Sequence, residues 1–432
     1  MRWLSSLSPT PPRPETNPPR LLLYCASNIG LGHLMRLLRV TRRLTELRSE
    51  TKVLLITDRA EAARAAGAKA ELCELPAFEF VEESGFGQRP AASDFPPARL
   101  REERARRIAA AAKAFAPHVV LMDTLPHGKL NELAPTLWRW ARQRRPPVRV
   151  LQLRDIPFPP GESHRWTRPG HMPAAETALY DYVFLAGDVK FFDVSADAPW
   201  ARALGDRFAY AGFVVPSLAA RRREPDHVVA SFGGGWEAAW LTERVVGAFD
   251  RWKARRSGLG RLSIYTGPAI ARSAFERLSR SLQARSDVRL TRFAGDFEAE
   301  LAACGLAILQ AGSTPFQILE SDIPMIVYHR DYSSREQQVR AERLAAWPGV
   351  RVIDRPWLES QDVASLMSEL TEHPPNPRRT GLDFGGVERV AAAIERLLVG
   401  GRDQLPPASA LLNPAEAPSN LNAQGPLEGE PR

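Results

Sequence analysis

Residues 305–338 read GLAILQAGSTPFQILESDIPMIVYHRDYSSREQQ, two apolar runs separated by a turn of small residues. Ala307–Leu309 predicts a buried strand, and Ile323–Tyr328 predicts the next one. Between them lies AGSTP, whose Pro315 is tolerated at the first position of a helix because that N–H has no intrahelical partner. Backbone N–H groups at a helix start favour an anion such as a diphosphate. The residues predicted to hold it are Gly312, Ser313 and Thr314.

Polar side chains lie on both sides of the second of these strands. Gln317 and Glu320 are three residues apart, which predicts that they share one face of the helix. Gln337 and Gln338 follow the second strand in a predicted polar loop, where a parallel strand opens into a cleft. Side-chain amides offer donors and an acceptor together, which suits sugar hydroxyls. The segment therefore predicts half of a nucleotide-sugar site.

The rest of the chain repeats the alternation of apolar strands and amphipathic helices. Its 432 residues exceed what one core usually covers, which favours two domains. Strands that alternate with helices indicate parallel sheets. We therefore predict an α/β fold of two facing, Rossmann-like, doubly wound domains with an interdomain cleft. The predicted boundaries are a disordered lead over 1–19, an N-terminal domain over 20–217, a linker over 218–226, a C-terminal domain over 227–385, a final helix over 386–400 and a disordered tail over 401–432.

A glycine-containing turn follows the first predicted strand, Leu21–Ala26. Gly30 and Gly32 would let the backbone approach a ligand, as in dinucleotide-binding folds, but Met35 replaces the third glycine of that motif. His33 comes next, at the start of a helix. An imidazole there could take a proton from a hydroxyl, because its pKa lies close to neutral pH.

Two acidic residues at strand ends are candidates to act with this turn. A carboxylate at Asp123 would hold the tautomer of His33. The alternative is that His33 and Asp123 only cap helices. Asp58 occupies the place of the ribose-binding acid of a dinucleotide enzyme, which keeps that class open.

A second glycine-rich turn opens the C-terminal half. Gly233, Gly234 and Gly235 follow a predicted strand and precede a helix, which favours backbone contact with phosphate. No Lys-Ser or Lys-Thr follows, so the turn is not a P-loop. The alternative is a flexible turn without a ligand. Phe293 and Ala294 end a further strand at the same face of the predicted sheet.

These motifs, in their order and spacing, resemble the GT-B glycosyltransferases, in particular a MurG-like group of bacterial enzymes. The likeness includes Asp123–Pro126, Leu153–Ile156 and Tyr210–Val214 and covers roughly residues 20–400. It implies an inverting, metal-independent transfer from a UDP-linked sugar to an acceptor hydroxyl, with His33 as the base and no cofactor. It also implies that the final helix crosses back to the N-terminal domain.

The resemblance further assigns the donor contacts. It implies that main-chain groups at Phe293 and Ala294 hold the uracil, that Gln337 contacts the sugar, and that the turn at 233–235 makes a second diphosphate or sugar contact. Gln317 stands where the family has a glutamate for the ribose. An amide is the weaker partner for a hydroxyl, and Glu320 is the alternative ribose contact.

Two other functions remain open. The run Ile29–His33 with Arg36 also resembles the UDP-sugar hydrolase of pseudaminic acid synthesis, in which water replaces the acceptor. The long Phe-containing segment over 76–97 instead favours a bulky acceptor and therefore transfer. Gln317 in place of glutamate fits a binding protein without activity. The residues predicted on the acceptor side are Gly30, Gly32, Arg36, Arg154 and Asp155, of which the last two could instead pair with each other.

The composition narrows the partners. The net charge of +8 would suit nucleic acid, an anionic membrane surface or a phosphorylated substrate, and does not choose among them. We expect no nucleic acid partner. An arginine-rich helix face could contact such a membrane or could be solvated: Arg36, Arg39, Arg42 and Arg43. We expect a cytoplasmic protein, since there is neither a run of about 20 apolar residues nor an apolar leader. The three cysteines are far apart, and no D-x-D motif or paired histidines suggest a metal.

Overall fold

The structure is a computed structural model that describes residues 18–26, 31–81, 87–90, 97–123, 125–128, 130–158, 161, 179–219, 221–235, 237–330, 335–360, 362–402 and 405–413. Most of the predicted lead and most of the predicted tail lie outside these residues, as does Gly30.

In the first half, the strands are β1 (Arg20–Cys25), β2 (Lys52–Thr57), β3 (Glu71–Glu74), β4 (Phe78–Val81), β5 (Gly87–Pro90), β6 (Val119–Asp123), β7 (Val148–Arg154), β8 (Tyr182–Ala186) and β9 (Phe208–Tyr210). The helices are α1 (Gly32–Leu47), α2 (Ala60–Ala65), α3 (Pro97–Phe115), α4 (Ala134–Ala141), α5 (Val194–Asp197) and α6 (Pro199–Leu204), with a 3₁₀ turn over Gly205–Arg207.

In the second half, the strands are β10 (Glu224–Ser231), β11 (Arg261–Tyr265), β12 (Val288–Thr291), β13 (Cys304–Gln310), β14 (Met325–Tyr328) and β15 (Val350–Ile353). The helices are α7 (Ala238–Ala254), α8 (Arg272–Leu282), α9 (Phe297–Ala303), α10 (Pro315–Ile318), α11 (Arg335–Leu344), α12 (Arg355–Ser360), α13 (Val363–Glu372), α14 (Gly386–Gly400) and α15 (Ala408–Leu412).

The two halves build sheets of the same design. In the described part of the chain, seven strands pair in the order β3-β2-β1-β6-β7-β8-β9 and six in the order β12-β11-β10-β13-β14-β15. All of these neighbours are parallel. Strands β6 and β13 are buried along their whole length, since helices cover both faces of each sheet. The predicted pair of doubly wound domains is confirmed.

The strand order places a ligand site in each sheet. In both sheets the early strands are added on one side of the first strand and the later strands on its other side. The order therefore switches between β1 and β6 and between β10 and β13. Ligands of open parallel sheets bind at such a switch point, beyond the carboxyl ends of the strands. The turns after β1, β6, β10 and β13 are therefore the places to look for chemistry.

Strand β10 begins earlier than the sequence predicts. It starts at Glu224, inside the segment 218–226 predicted as a linker. Pro225 cannot donate to a sheet ladder, and the pairing with β13 shifts register between Glu224 and Val228. This irregularity accommodates a proline at the start of a central strand.

The C-terminal segments return to the first sheet. Helix α14 packs against α1, and its Val390 and Ile394 are buried in the core that surrounds Leu21 and Leu34. The prediction of a disordered tail from residue 401 is wrong for residues 405–412, which end in helix α15.

Helix α15 is anchored by apolar and polar contacts. Leu411 and Leu412 are buried in the first-domain core, and the Tyr182 hydroxyl donates to the Pro406 carbonyl at 2.7 Å. The Arg402 guanidinium pairs with Asp181 at 2.6 Å. Few apolar residues were needed to dock the segment, which is why composition alone predicted a tail.

We expect Leu411→Ala to lower the free energy of unfolding by about 2 kcal/mol, since a buried leucine is lost and leaves a cavity. Urea unfolding followed by circular dichroism measures it. Leu405, which is 37% exposed, gives the control, because Leu405→Ala should change stability by less than about 0.5 kcal/mol. Equal midpoints for both variants would show that α15 adds nothing to the stability of the domain.

Candidate active site

A cavity of about 410 Å³ lies between the carboxyl ends of the two sheets. This volume is within the range of small-molecule sites. Its walls come from α1 and the end of β7 on one side, and from the turns after β10, β13 and β14 on the other. The domains approach closely here, because a Cβ added to Gly32 would lie 3.6 Å from the Ser313 hydroxyl.

A fully buried carboxylate organises the first-domain wall. Asp123 accepts hydrogen bonds from Arg36 Nε at 2.8 Å, Arg36 Nη2 at 3.0 Å and Gln152 Nε2 at 3.0 Å. His33 Nδ1 lies 2.7 Å from Oδ1, the oxygen that also accepts from Arg36 Nη2. The pKa of Asp123 lies below its ordinary range: burial opposes ionisation, but Arg36 and His33 outweigh it. Asp123 is therefore a carboxylate with all its partners fixed by the fold.

This arrangement suits His33 to act as a base. Arg36 Nη2 lies 2.9 Å from His33 Nδ1, but the ionised Asp123 oxygen at 2.7 Å can only accept a hydrogen bond. Nδ1 therefore carries the proton and donates it to Asp123, which leaves the lone pair on Nε2. The side chain is 26% exposed, and His33 lines the cavity. Burial lowers the pKa of His33, and Arg36 and Arg154 lower it further, although Asp123 raises it. Burial therefore favours the neutral imidazole, which is the form that can accept a proton.

The turn after β13 differs from its prediction in two respects. Helix α10 has only one turn, so its dipole is small. The N–H of Gly312 donates to the Gln310 carbonyl at 2.7 Å, so Gly312 does not offer this group to an anion. Gly312, Ser313 and Thr314 all line the cavity. Anion binding here depends on Ser313, Thr314 and neighbouring cations more than on a helix end.

The glycine turn after β10 is required by packing. Gly233 and Gly235 have φ values of +60° and +97°, which favour glycine. A Cβ on Gly235 would lie 2.8 Å from the Thr266 carbonyl oxygen. Gly233 and Gly234 line the cavity, whereas Gly235 is buried behind them. The prediction of three ligand-facing glycines is wrong for Gly235.

Gln317 and Glu320 do not share the cavity. Gln317 lines it, and its Oε1 is buried without a hydrogen-bond partner among the described residues. Glu320 is exposed and accepts from the Thr380 hydroxyl at 2.9 Å. Because α10 ends at Ile318, the helical spacing that predicted a common face does not extend to Glu320.

The two glutamines after β14 also separate. They belong to helix α11, where the sequence predicted a loop. Gln337 lines the cavity, and its Oε1 lies 3.5 Å from the backbone N of Arg330. Gln338 lies outside the cavity lining and donates to Glu342 at 2.9 Å, four residues along the same helix. The structure therefore gives Gln338 a structural partner and places only Gln337 at the candidate site.

Phe293 and Ala294 lie together on the second-domain wall. Both line the cavity, and Phe293 is 36% exposed, which is unusual for a phenylalanine. Arg292, next to them, lies over the ring of Phe275 at 4.6 Å. An exposed aromatic face beside a cation suits a planar ring such as a nucleobase.

Arg154 and Asp155 pair across the cleft and not with each other. Arg154 Nη1 donates to Glu336 of α11 at 2.6 Å. Asp155 accepts from Arg340 Nε at 2.7 Å and from Nη2 at 2.9 Å. Burial alone would raise the pKa of Asp155, but Arg340 holds it below its ordinary value.

The sequence missed several cavity residues. Arg330 follows β14, and Gln310 ends β13; once the Gln310 amide donates to the Phe232 carbonyl, its oxygen accepts from Arg330 Nε at 2.7 Å. Arg39 pairs with Glu298 of the other domain at 2.6 Å. The signal available was position, since Gln310 and Arg330 lie at the carboxyl ends of predicted strands.

These contacts disfavour two alternatives: the contact of Arg36 and Arg39 with a membrane, and the binding of ribose by Asp58. Arg36 and Arg39 point into the cleft and are paired there, so these two side chains are not free to contact a membrane. Asp58 is buried beside Arg104 at 3.3 Å and does not line the cavity, so it is not placed as a ribose-binding acid. Arg42 does line the cavity, at an exposed position.

Within the described ranges, no group of three or more His, Cys, Asp or Glu side chains is gathered as a metal ion would require. The expectation that no metal or cofactor takes part stays a prediction. Every helix in the described part of the chain is too short or too polar to cross a bilayer.

Comparisons with known proteins give the architecture a name. No protein-family model and no curated protein sequence matches the chain. Among solved structures, the glycotransferase of kitacinnamycin matches at 16% identity, 89% of this chain, 96% of its own and a TM-score of 0.51. MurG from Acinetobacter baumannii matches at 13% identity over 88% of this chain and 100% of its own, with a TM-score of 0.51. UDP-GlcNAc 2-epimerase from Neisseria meningitidis, bound to UDP-GlcNAc, matches at 11% identity over 88% of this chain and 100% of its own, with a TM-score of 0.51. At these identities the likeness shows the fold, which is GT-B.

We expect the pKa of His33 to lie below its ordinary value and to fall further in Asp123→Asn, because that change removes a carboxylate that favours the imidazolium. An NMR titration of the imidazole protons measures both values. The His33→Gln variant identifies the resonance by its loss, and circular dichroism checks the fold. A pKa that rises in Asp123→Asn would contradict the arrangement described for this wall.

Proposed function

We propose that this protein is a glycosyltransferase that moves a sugar from a nucleoside diphosphate sugar to an acceptor hydroxyl. The observation that carries the proposal is the pairing of His33 with buried Asp123 at a cavity that His33 and the Ser313 turn both line. His33 Nε2 would take the proton of the acceptor hydroxyl. The acceptor oxygen would then attack the anomeric carbon as the bond to the β-phosphate oxygen breaks, which inverts that carbon in one step.

The charge of the cavity supports a diphosphate leaving group. Among the described residues, the lining includes seven arginines: Arg36, Arg39, Arg42, Arg154, Arg292, Arg330 and Arg340. Only three acids line it: Asp155, Glu298 and Glu336. Each acid pairs with one arginine, and Asp123 behind the wall pairs with Arg36. Arg330 Nε lies 3.7 Å from Glu237, so Arg42 and Arg292 are the lining residues whose charge is least compensated. The remaining positive charge would stabilise the phosphate oxygens as the bond breaks.

The unpaired oxygen of Gln317 supports a hydroxyl-bearing ligand. A buried acceptor without a partner costs about 1–3 kcal/mol, so a protein retains it where a ligand supplies the donor. Gln317 is in the same cavity as Ser313 and Thr314, near the expected diphosphate. A ribose hydroxyl is the donor we propose.

We propose that the sugar donor is a uridine nucleotide, whose base and sugar would contact the rest of the second-domain wall. Phe293 and Ala294 would contact the base, and Gln337 would contact the sugar. The Neisseria meningitidis structure, which shares the fold, was solved with UDP-GlcNAc. The sugar and the acceptor are the parts of the reaction that the assay below identifies.

The test is a panel of UDP-, dTDP- and GDP-sugars, with release of nucleoside diphosphate measured first without an acceptor and then with cell extract. We expect release from a UDP-sugar only with extract. In His33→Gln, turnover should fall by about 10²–10⁴-fold while UDP binding, measured by calorimetry, stays unchanged.

Other outcomes would replace the proposal. Release without extract would indicate a hydrolase. Conversion of the sugar to an epimer, followed by NMR, would indicate an epimerase, and UDP binding without turnover would indicate a binding protein. Unchanged turnover in His33→Gln would show that His33 is not the base.

Gln317→Leu should move binding and stability in opposite directions. UDP affinity should fall by about tenfold, because a hydroxyl contact is lost. The free protein should become slightly more stable, because the buried unpaired oxygen is gone. Calorimetry and thermal unfolding measure the two. Gln338→Leu is the matched control, since Gln338 lies outside the cavity lining, and equal effects at the two positions would contradict the role of Gln317.

A further inference from the structure

Two ion pairs of opposite polarity join the domains at one edge of the cavity. Arg154 and Asp155 are consecutive at the end of β7, and Glu336 and Arg340 are four apart on one face of α11. Arg154 meets Glu336, and Asp155 meets Arg340. Shifting either element along the other would bring like charges together, so the pattern fixes one relative position of the domains.

Arg340 is the buried centre of this contact. It is 3% exposed and bonds both oxygens of Asp155 at 2.7 and 2.9 Å. Its remaining Nη1 donates to the Ala311 carbonyl at 2.8 Å. Ala311 immediately precedes the turn at Gly312–Thr314, so one guanidinium joins the N-terminal domain to the proposed diphosphate turn.

Opening of the cleft would break this arrangement. Withdrawal of Asp155 would leave the Arg340 charge buried without its anion, which is strongly unfavourable. Arg340 would then turn towards water and release the Ala311 carbonyl. The shape of the turn and the closure of the domains are therefore linked through one side chain, and linkage acts in both directions.

We propose, on the basis of the proposed function, that Arg340 is a positioning residue. Its pair with Asp155, together with the pair of Arg154 and Glu336, holds the cleft closed. Its bond to Ala311 shapes the turn that receives the donor diphosphate. The donor site is then complete only in the closed enzyme. Arg340 acts through the backbone of the turn and takes no part in bond breaking.

The test separates closure from the shape of the turn. Small-angle scattering of the ligand-free protein measures closure, and hydrogen exchange of peptides that span Ala311–Thr314 measures the turn. Arg340→Gln should expand the protein and speed exchange at the turn. Arg340→Lys should keep the ion pair with Asp155 and remain compact, but should still speed exchange, because an ammonium lacks the planar fork that reaches three oxygens.

Two further variants complete the design. Exchanging the charges of the outer pair, as Arg154→Glu with Glu336→Arg, should restore the compactness that Arg154→Glu alone loses. Arg251→Gln is the control, because it breaks an exposed ion pair with Asp362 away from the cleft. Thermal unfolding checks that each variant is folded.

Donor affinity gives the functional result. UDP should bind about tenfold more weakly to Arg340→Gln and Arg340→Lys than to Arg251→Gln. Unchanged scattering, exchange and affinity in Arg340→Gln would overturn the proposal. If the unaltered protein fails to bind UDP, the proposed donor is wrong, while scattering and exchange still decide the role of Arg340.

Discussion

The buried carboxylate of Asp123 is the constraint on which the first wall of the site depends. A fully buried charge is tolerated only when its oxygens are matched by donors, and here Arg36, Gln152 and His33 supply them. The imidazole is therefore oriented by the energetics of burial before any ligand arrives. Because Asp123 ends β6, next to β1 and at the switch point of the sheet, the fold itself places His33 in the cleft.

The second wall follows a different rule. Its turns are shaped by close packing, as at Gly235, and its positive charge comes from Arg292, Arg330 and Arg340. Arginine keeps its charge when partly buried and offers several donors in one plane. On the first wall, Arg36 and Arg39 line the same cleft and are paired there with acids. Part of the positive charge of the chain therefore lies in the cleft and not on a surface that could contact a membrane.

The sequence predicted the fold well, because alternating strands and helices and turns of small residues are local features. It also predicted His33, Asp123 and Gln317 as site residues, and the structure brings His33 and Gln317 to one cavity and Asp123 to the wall behind it. It failed for Glu320 and Gln338, where a one-turn helix and a helix in place of a loop changed the direction of side chains. Pairs such as Asp155 with Arg340 join residues 185 apart in sequence, so no local pattern could indicate them.

The return of α14 and α15 to the first domain has a consequence for synthesis. The core around Leu21 and Leu34 includes Ile394 and Leu411, which leave the ribosome after the second domain. The N-terminal domain emerges before the second domain but cannot complete its core until residues 386–412 have been made. The nascent first domain must therefore wait, with part of its apolar surface exposed, while the whole second domain is translated.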